Sequence, residues 1–266
     1  MNENKITKNL AELWEDLTIE RYEEIESTND CLKNHYRNNH YDERLIIANR
    51  QTKGRGRRTR NFYSKLDHGL YFSLGINASG VYPNELPLYT IAAATAMIQA
   101  VDKELGIQLK VKWVNDLFYR GKKVAGILSE AITNPQTNEI SFLVVGIGLN
   151  IAGSLDEADE LTKKTAGTLY NDLPANLNID RLINQFLIEF FHYHKNLKKR
   201  SFISLYEKNL LGVGEKVYYQ KGNKKYYGRI NGINKKGQLL IQNESNEEEV
   251  LLADEIHFSS RQFVND

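Results

Sequence analysis

Short apolar or alternating runs, bounded by turn residues, recur along the first 150 residues and read as strands. They are IERYEEI (19–25), LIIAN (45–49), GLYFSLGI (69–76), LKVKW (109–113), KKVAGILSEA (122–131) and ISFLVVGIGLN (140–150). The last two are separated by NPQTNE, which has strong turn chemistry, so they predict an antiparallel hairpin or neighbouring strands. Helical spacing appears elsewhere. Residues 3–17 predict a short amphipathic helix with Leu10, Leu13, Trp14 and Leu17 on one face. Ser27, Thr28 or Asn29 is placed to cap a helix holding Leu32 and Tyr36. Pro87 fits the first turn of a helix that runs to Gly106. Residues 179–196 carry Leu182, Ile183, Phe186, Leu187, Phe190 and Phe191 on one broad apolar face, and a shorter helix over 202–210 ends near Gly212.

After Gly212 the texture changes. GEKVYYQKG, KYYGRINGI, GQLLIQN and EEVLLADEIHF predict four short strands at close spacing, separated by Gly, Asn and Lys turns, as in a small β-barrel. A boundary near 211–213 therefore divides an α+β unit, residues 1–211, from an all-β unit, residues 212–266. The 266-residue length suits one large domain with a small appendage. A net charge of +1 gives bulk electrostatics no part in holding a duplex nucleic acid. The one cysteine, Cys31, excludes a disulfide within the chain and fits a reducing compartment. The opening residues are polar, and the run FLVVGIGL is far too short to span a bilayer, so the reading is a cytoplasmic protein without a membrane partner.

Four stretches stand out chemically. Residues 50–60 hold six basic side chains, Arg50, Lys53, Arg55, Arg57, Arg58 and Arg60, interleaved with Gly54 and Gly56 and with no acid. Like charges repel and glycine adds freedom, so the empty loop is expected to be mobile and to order around a phosphate or carboxylate. A solvated basic loop is the plain alternative. The loop matches neither a dinucleotide fingerprint nor a P-loop. KWVNDL (112–117) brings a cation, an amide and a carboxylate to one sheet edge, although Asn115 and Asp116 also serve as ordinary turn formers. Lys123 begins a strand whose Ala125–Gly126 pair leaves its backbone open to close approach, and Gly146 and Gly148 interrupt a buried strand in GIGLN (146–150). His192 and His194 stand two apart on a helix and point in different directions, so they read as partly packed surface residues rather than ligands.

In this order, STN at 27–29, GRGRRTR at 54–60, KWVND at 112–116, KVAGILSE at 123–130 and GIGLN at 146–150 resemble the catalytic domain of the biotin protein ligases. The resemblance covers roughly residues 20–260, since that family also ends in a small SH3-like barrel. Thr59, Phe62 and Val114 depart from the family pattern, standing where a glycine, usually a tryptophan, and a proline are expected.

The resemblance implies a class II synthetase-like fold: a mixed, mostly antiparallel sheet with helices on one side, plus the SH3-like barrel. It implies ATP-dependent activation of biotin to biotinyl-5'-adenylate, then transfer to a lysine of the biotin carboxyl carrier domain of a carboxylase. For biotin it implies Ser27, Thr28, Asn29, Gln51, Arg55, Gly56, Arg57, Lys123, Gly126 and Gly146. For ATP and the adenylate it implies Arg57, Arg58, Arg60, Phe62 (stacked on adenine), Lys112, Asn115, Asp116, Lys123 and Asn150. Arg57, Lys123 and Asp116 are the expected catalytic groups. Magnesium is expected mainly through the phosphates, with Asp116 either helping to hold it or orienting the incoming lysine. Lipoate ligases share the fold and the adenylation chemistry; the Arg-rich loop and the KVAGIL strand favour biotin. Some relatives carry an N-terminal winged helix-turn-helix of several dozen residues. About twenty residues precede the resemblance here, so the expectation is the monofunctional type, with no specific DNA partner. A homodimer is compatible with it.

Overall fold

The computed structural model describes residues 13–14, 16–57, 60–66, 68–78, 80–252 and the backbone of 256–257. Seven strands form the main sheet: β1 (Thr18–Ile25), β2 (Arg44–Gln51), β3 (His68–Asn77), β4 (Lys110–Lys112), β5 (Asp116–Tyr119), β6 (Lys122–Thr133) and β7 (Ile140–Ala152). Their order is β1-β2-β3-β7-β6-β5-β4. β1 and β2 run parallel and every other neighbour is antiparallel. The mixed, mostly antiparallel sheet expected from the run pattern is therefore present, with β6 and β7 as the expected neighbouring pair.

The helices are α1 (Thr28–Arg37), α2 (Leu86–Leu105), α3 (Glu160–Thr165), α4 (Ile179–Lys195) and α5 (Phe202–Lys208). Ser27 caps α1, its hydroxyl accepting from Asp30 N. Pro87 lies in the first turn of α2, and Gly106 ends it in the left-handed conformation, φ 66°. Neither α3 nor anything else in residues 153–178 was marked by periodicity.

One expectation fails. The helices do not all lie on one side. α2 and α4 bury Ile91, Ala94, Met97, Phe186 and Phe190 against the odd-numbered face of β7, Val145 and Ile147. Leu32 of α1 packs instead with Ile46, Phe142 and Val144, which point the other way. Side chains alternate across a strand, so β2 and β7, apolar at consecutive positions, feed two cores at once. The expected helix over 3–17 lies almost wholly outside the described residues; positions 13, 14 and 16 are turn or bend, and Trp14 is buried in the main core.

The second sheet has five strands, not four: β8 (Lys216–Lys221), β9 (Lys224–Ile233), β10 (Leu239–Asn243), β11 (Glu248–Leu251) and β12 (Ile256–His257), in the order β11-β10-β9-β8-β12, all antiparallel. The run EEVLLADEIHF breaks into β11 and β12, which lie at opposite edges. Val217, Tyr219, Ile230, Leu239 and Ile241 are buried in the same cluster as α2 and α4. No helix among the described residues is long and apolar enough to cross a membrane.

Candidate active site

The face of the main sheet opposite α2 is open at its centre because its side chains there are missing or small. Register sets Tyr71 beside Gly148, Gly148 beside Gly126, and Gly126 beside Asp116, which pairs with Lys112. The next row runs Ser73, Gly146, Leu128. Glycines at 146 and 148 are two apart and so open the same face. Phe62 fills part of the gap: a Cβ on Gly148 would lie 2.5 Å from its ring and one on Gly126 3.0 Å from it. A Cβ on Gly146 would strike Asn29 Oδ1.

One end of this cavity is neutral and tightly bonded. Thr28 N and Oγ1 donate to Gln51 Oε1 at 2.8 and 3.1 Å, and Gln51 Nε2 donates to Ser64 Oγ at 3.2 Å. Ser73 Oγ lies 2.6 Å from both Thr28 Oγ1 and Asn29 Oδ1. Asn29 Nδ2 donates to Glu130 Oε2 at 2.7 Å. Ser27, Thr28, Asn29, Gln51, Ser64 and Ser73 are all buried. Buried polar groups keep their geometry only when bonded, so this network fixes each rotamer.

The other end is charged. Lys123 Nζ lies 2.7 Å from Asp116 Oδ1. Burial would raise the Asp116 carboxyl, but Lys123 and Lys112, with a smaller contribution from Arg57, outweigh it and hold the group below the usual carboxylate range. Burial pulls the Lys112 ammonium down to about 8; Asp116 opposes this, and Lys123 and Arg60 add to it. Arg57 and Arg60 line the same end. Asn115 is tied to β6, its Nδ2 donating to Ile127 O at 3.0 Å.

The basic loop is folded back on itself: Gly56 N donates to Arg60 O at 2.7 Å and Phe62 N to Gly54 O at 2.9 Å. Its missing counter-charges come from outside. Arg55 Nε meets Asp30 at 2.5 Å, and Lys53 Nζ meets Glu26 at 2.7 Å. A loop without acids in sequence is thus partly neutralised by Asp30 in the first turn of α1 and Glu26 just before its cap.

Of the residues singled out from sequence, Ser27, Thr28, Asn29, Gln51, Arg55, Gly56, Arg57, Arg60, Phe62, Lys112, Asn115, Asp116, Lys123, Gly126 and Gly146 line this one cavity. Arg58 lies outside the described residues. Asn150 does not line it: it is buried, donates to Gly167 O at 3.0 Å, and its Oδ1 has no partner. Phe62 lies on the glycine floor. Gly148, expected with Gly146 to open a buried strand, lines the cavity too, while Ser64, Ser73 and Glu130, which bond to its lining, were not singled out. These three arrive by contacts distant in sequence.

The model of the biotin/lipoate A/B protein ligase family matches residues 22–150. The bifunctional ligase/repressor BirA of Bacillus spizizenii is 28% identical over 237 residues, covering 88% of this chain and 72% of that protein. The biotin–[acetyl-CoA-carboxylase] ligase of Mycobacterium tuberculosis is 31% identical over 118 residues, 43% of this chain and 42% of that one. Among solved structures, the biotin protein ligase of Aquifex aeolicus in complex with biotin and ATP superposes with a TM-score of 0.71 at 28% identity, covering 91% of this chain and 99% of that one. The sheet, the glycine floor with its neutral and charged ends, and these likenesses agree: the chain belongs to the biotin protein ligases of the biotin/lipoate A/B family.

Proposed function

We propose that this ligase joins biotin to the α-phosphorus of ATP and then passes the biotinyl group to a lysine of a biotin carboxyl carrier domain. The observation that carries the reading is the polarity of the cavity: a buried, neutral hydrogen-bonding end and a cation-rich end on one glycine floor. A ureido ring is neutral and suits Ser27, Thr28, Asn29 and Gln51. A carboxylate and a triphosphate are anions and suit Lys112, Lys123, Arg57, Arg60 and, as the family resemblance implies, Arg58. Arg55, Gly56, Gly126 and Gly146 let the biotin side of the ligand lie close to backbone and loop.

In the first step a carboxylate oxygen attacks the α-phosphorus, and the bond to the β-phosphate oxygen breaks with its electron pair leaving on pyrophosphate. Two anions must approach each other while charge grows on the phosphoryl oxygens. Lys123 has three N–H donors and Asp116 takes one, so donors remain for both reacting groups. Asp116 holds that ammonium in place. In the second step the acceptor amine attacks the carbonyl carbon, AMP leaves with the bonding pair, and the amine loses a proton.

The residues present do not fit a protein-built magnesium site. Asp116 is bound to Lys123 and flanked by Lys112, and no group of three His, Cys, Asp or Glu side chains capable of holding a metal occurs among the described residues. Magnesium is therefore assigned mainly to the ATP phosphates, and Asp116 to holding Lys123. Asp116 keeps the orienting role. The division at 211/212, with the second sheet closing as an SH3-like barrel, belongs to the same proposal and is supported by the all-antiparallel order β11-β10-β9-β8-β12.

The test is ATP–pyrophosphate exchange with biotin or lipoate as the acid, followed by mass spectrometry of an isolated carrier domain. Biotin-dependent exchange and a single biotinyl adduct on a carrier lysine are expected. Exchange driven by lipoate, or by neither acid, would overturn the reading.

A further inference from the structure

The turn between β4 and β5 sets where Lys112 and Asp116 stand, and it is held from behind by residues that do not face the glycine floor. The Tyr206 hydroxyl of α5 donates to Val114 O at 3.0 Å. Trp113 Nε1 donates to Gly237 O, in the turn between β9 and β10, at 2.9 Å. Along the free edge of β4, Val111 N donates to Asn209 O and Leu211 N to Val111 O, both at 2.8 Å. α5 is in turn bonded to the second sheet, because Ile233 N donates to Glu207 Oε1 at 3.1 Å. Adjacent residues of one short helix, Tyr206 and Glu207, thus grip the turn and the second sheet respectively.

Tyr206 is fully buried. A buried phenol is stable only with a partner, and its bond to Val114 O crosses 92 positions of sequence. Burial, with the Asp116 carboxylate nearby, pushes its acidity far from neutrality, so it remains an O–H donor. Gly237 has φ 75°, and a Cβ there would strike Ile91 of α2. Its backbone is therefore pressed between α2 and the Trp113 indole, which leaves its carbonyl little choice of position.

We propose that Tyr206 and the Trp113–Gly237 contact are positioning elements for the charged end of the cavity, through which the second sheet governs ATP use without touching biotin. The inference rests on the proposed adenylation. Asn115 joins the turn to β6, while Tyr206 and Gly237 join it to α5 and the second sheet; the neutral end hangs on different elements, α1, β2 and β3. Loosening the turn shifts Lys112 and Asp116 together and leaves Thr28, Gln51 and Ser73 where they are.

The decisive variant is Tyr206→Phe, which keeps the buried ring and removes only the donor. KM for ATP should rise about three- to tenfold, the range of one lost hydrogen bond. Biotin affinity, measured by calorimetry without nucleotide, should stay within about twofold. The alkaline limb that Lys112 gives to kcat/KM for ATP should move, which packing loss alone does not produce. Gly237→Ala, read the same way, tests the second contact independently, and thermal unfolding shows that each variant is folded. Equal losses for biotin and ATP, or a folded Tyr206→Phe enzyme indistinguishable from the parent, would overturn the inference. A parent protein with no biotin-dependent exchange would instead overturn the proposed function, so the two failures are distinct.

Discussion

The two ends of the cavity solve the problem of burying polar groups in opposite ways. At the neutral end every side chain has a neighbour of matching hydrogen-bond sense, from Ser64 through Gln51 and Thr28 to Ser73 and Asn29. At the charged end four cations, Arg57, Arg60, Lys112 and Lys123, line the wall with one carboxylate, Asp116. The first is complete without a ligand and offers shape and exchangeable hydrogen bonds. The second gathers cations around a single described carboxylate, a lining that suits phosphate. The lesson is that one floor joins a bonded network of neutral dipoles to a cluster of charges, and under the proposed function mutations at the two ends should separate biotin binding from ATP use.

The largest break is expected from Lys123→Ala. Losing a preorganised charge should slow biotin-dependent pyrophosphate exchange about a hundredfold or more, far beyond its effect on biotin affinity. Near-normal exchange in the folded variant would remove Lys123 from the chemistry. Next comes Gln51→Ala at the neutral end. It strips the acceptor from the buried Thr28 N–H, which costs roughly 1–3 kcal/mol. Calorimetry should show biotin binding weakened about tenfold or more, with KM for ATP nearly unchanged; an ATP defect of equal size would show that the ends are not separable.

Lys112 sharpens the contrast through pH. Its folded-state value of about 8 lies below the ordinary 10.5, so burial favours the neutral amine. The unfolded chain then binds more protons between the two values, and stability rises with pH across that window. Function runs the other way: above pH 8 a cation is lost, and kcat/KM for ATP should fall with a limb near 8. ATP binding near that pH should take up protons, detectable as an enthalpy that depends on the buffer. Lys112→Arg, charged throughout, should abolish the limb. The smallest effect is expected for Asp30→Asn. Arg55 is half-exposed, and such ion pairs contribute less than about 1 kcal/mol. A small shift in melting temperature that vanishes at high salt is expected; a loss of several degrees would give the pair a structural weight that solvent screening does not allow.

Much of this was legible in sequence because it is local. The Ser27 cap, the Pro87 and Gly106 boundaries of α2, and the open face of GIGLN follow from single residues and two-residue spacing. The placement of α1 was not legible, since one buried leucine, Leu32, decides which face it covers. Ser64, Ser73, Glu130 and Tyr206 have ordinary neighbours in the chain and acquire meaning only from residues 13, 45, 101 and 92 positions away. Arg55 and Lys53 were read as lacking counter-charges because Asp30 and Glu26 lie in another element. The bond of Asn150 Nδ2 to Gly167 O, which fastens the 166–169 segment to β7, was likewise not legible in its motif.

Phe62, resting on Gly126 and Gly148, makes the empty protein a competitor for its own floor. A planar ligand that used the floor beneath the ring would have to displace it, so the ground it gained would be ground the ring gave up. Its affinity would then be a difference between two stackings, reduced by the fraction of molecules in which the ring had lifted. A smaller side chain at position 62 would lower that threshold but also weaken retention, whereas a larger ring would guard the vacant floor more firmly. The size of residue 62 would in that case weigh how readily the floor opens against how well it holds what it has admitted.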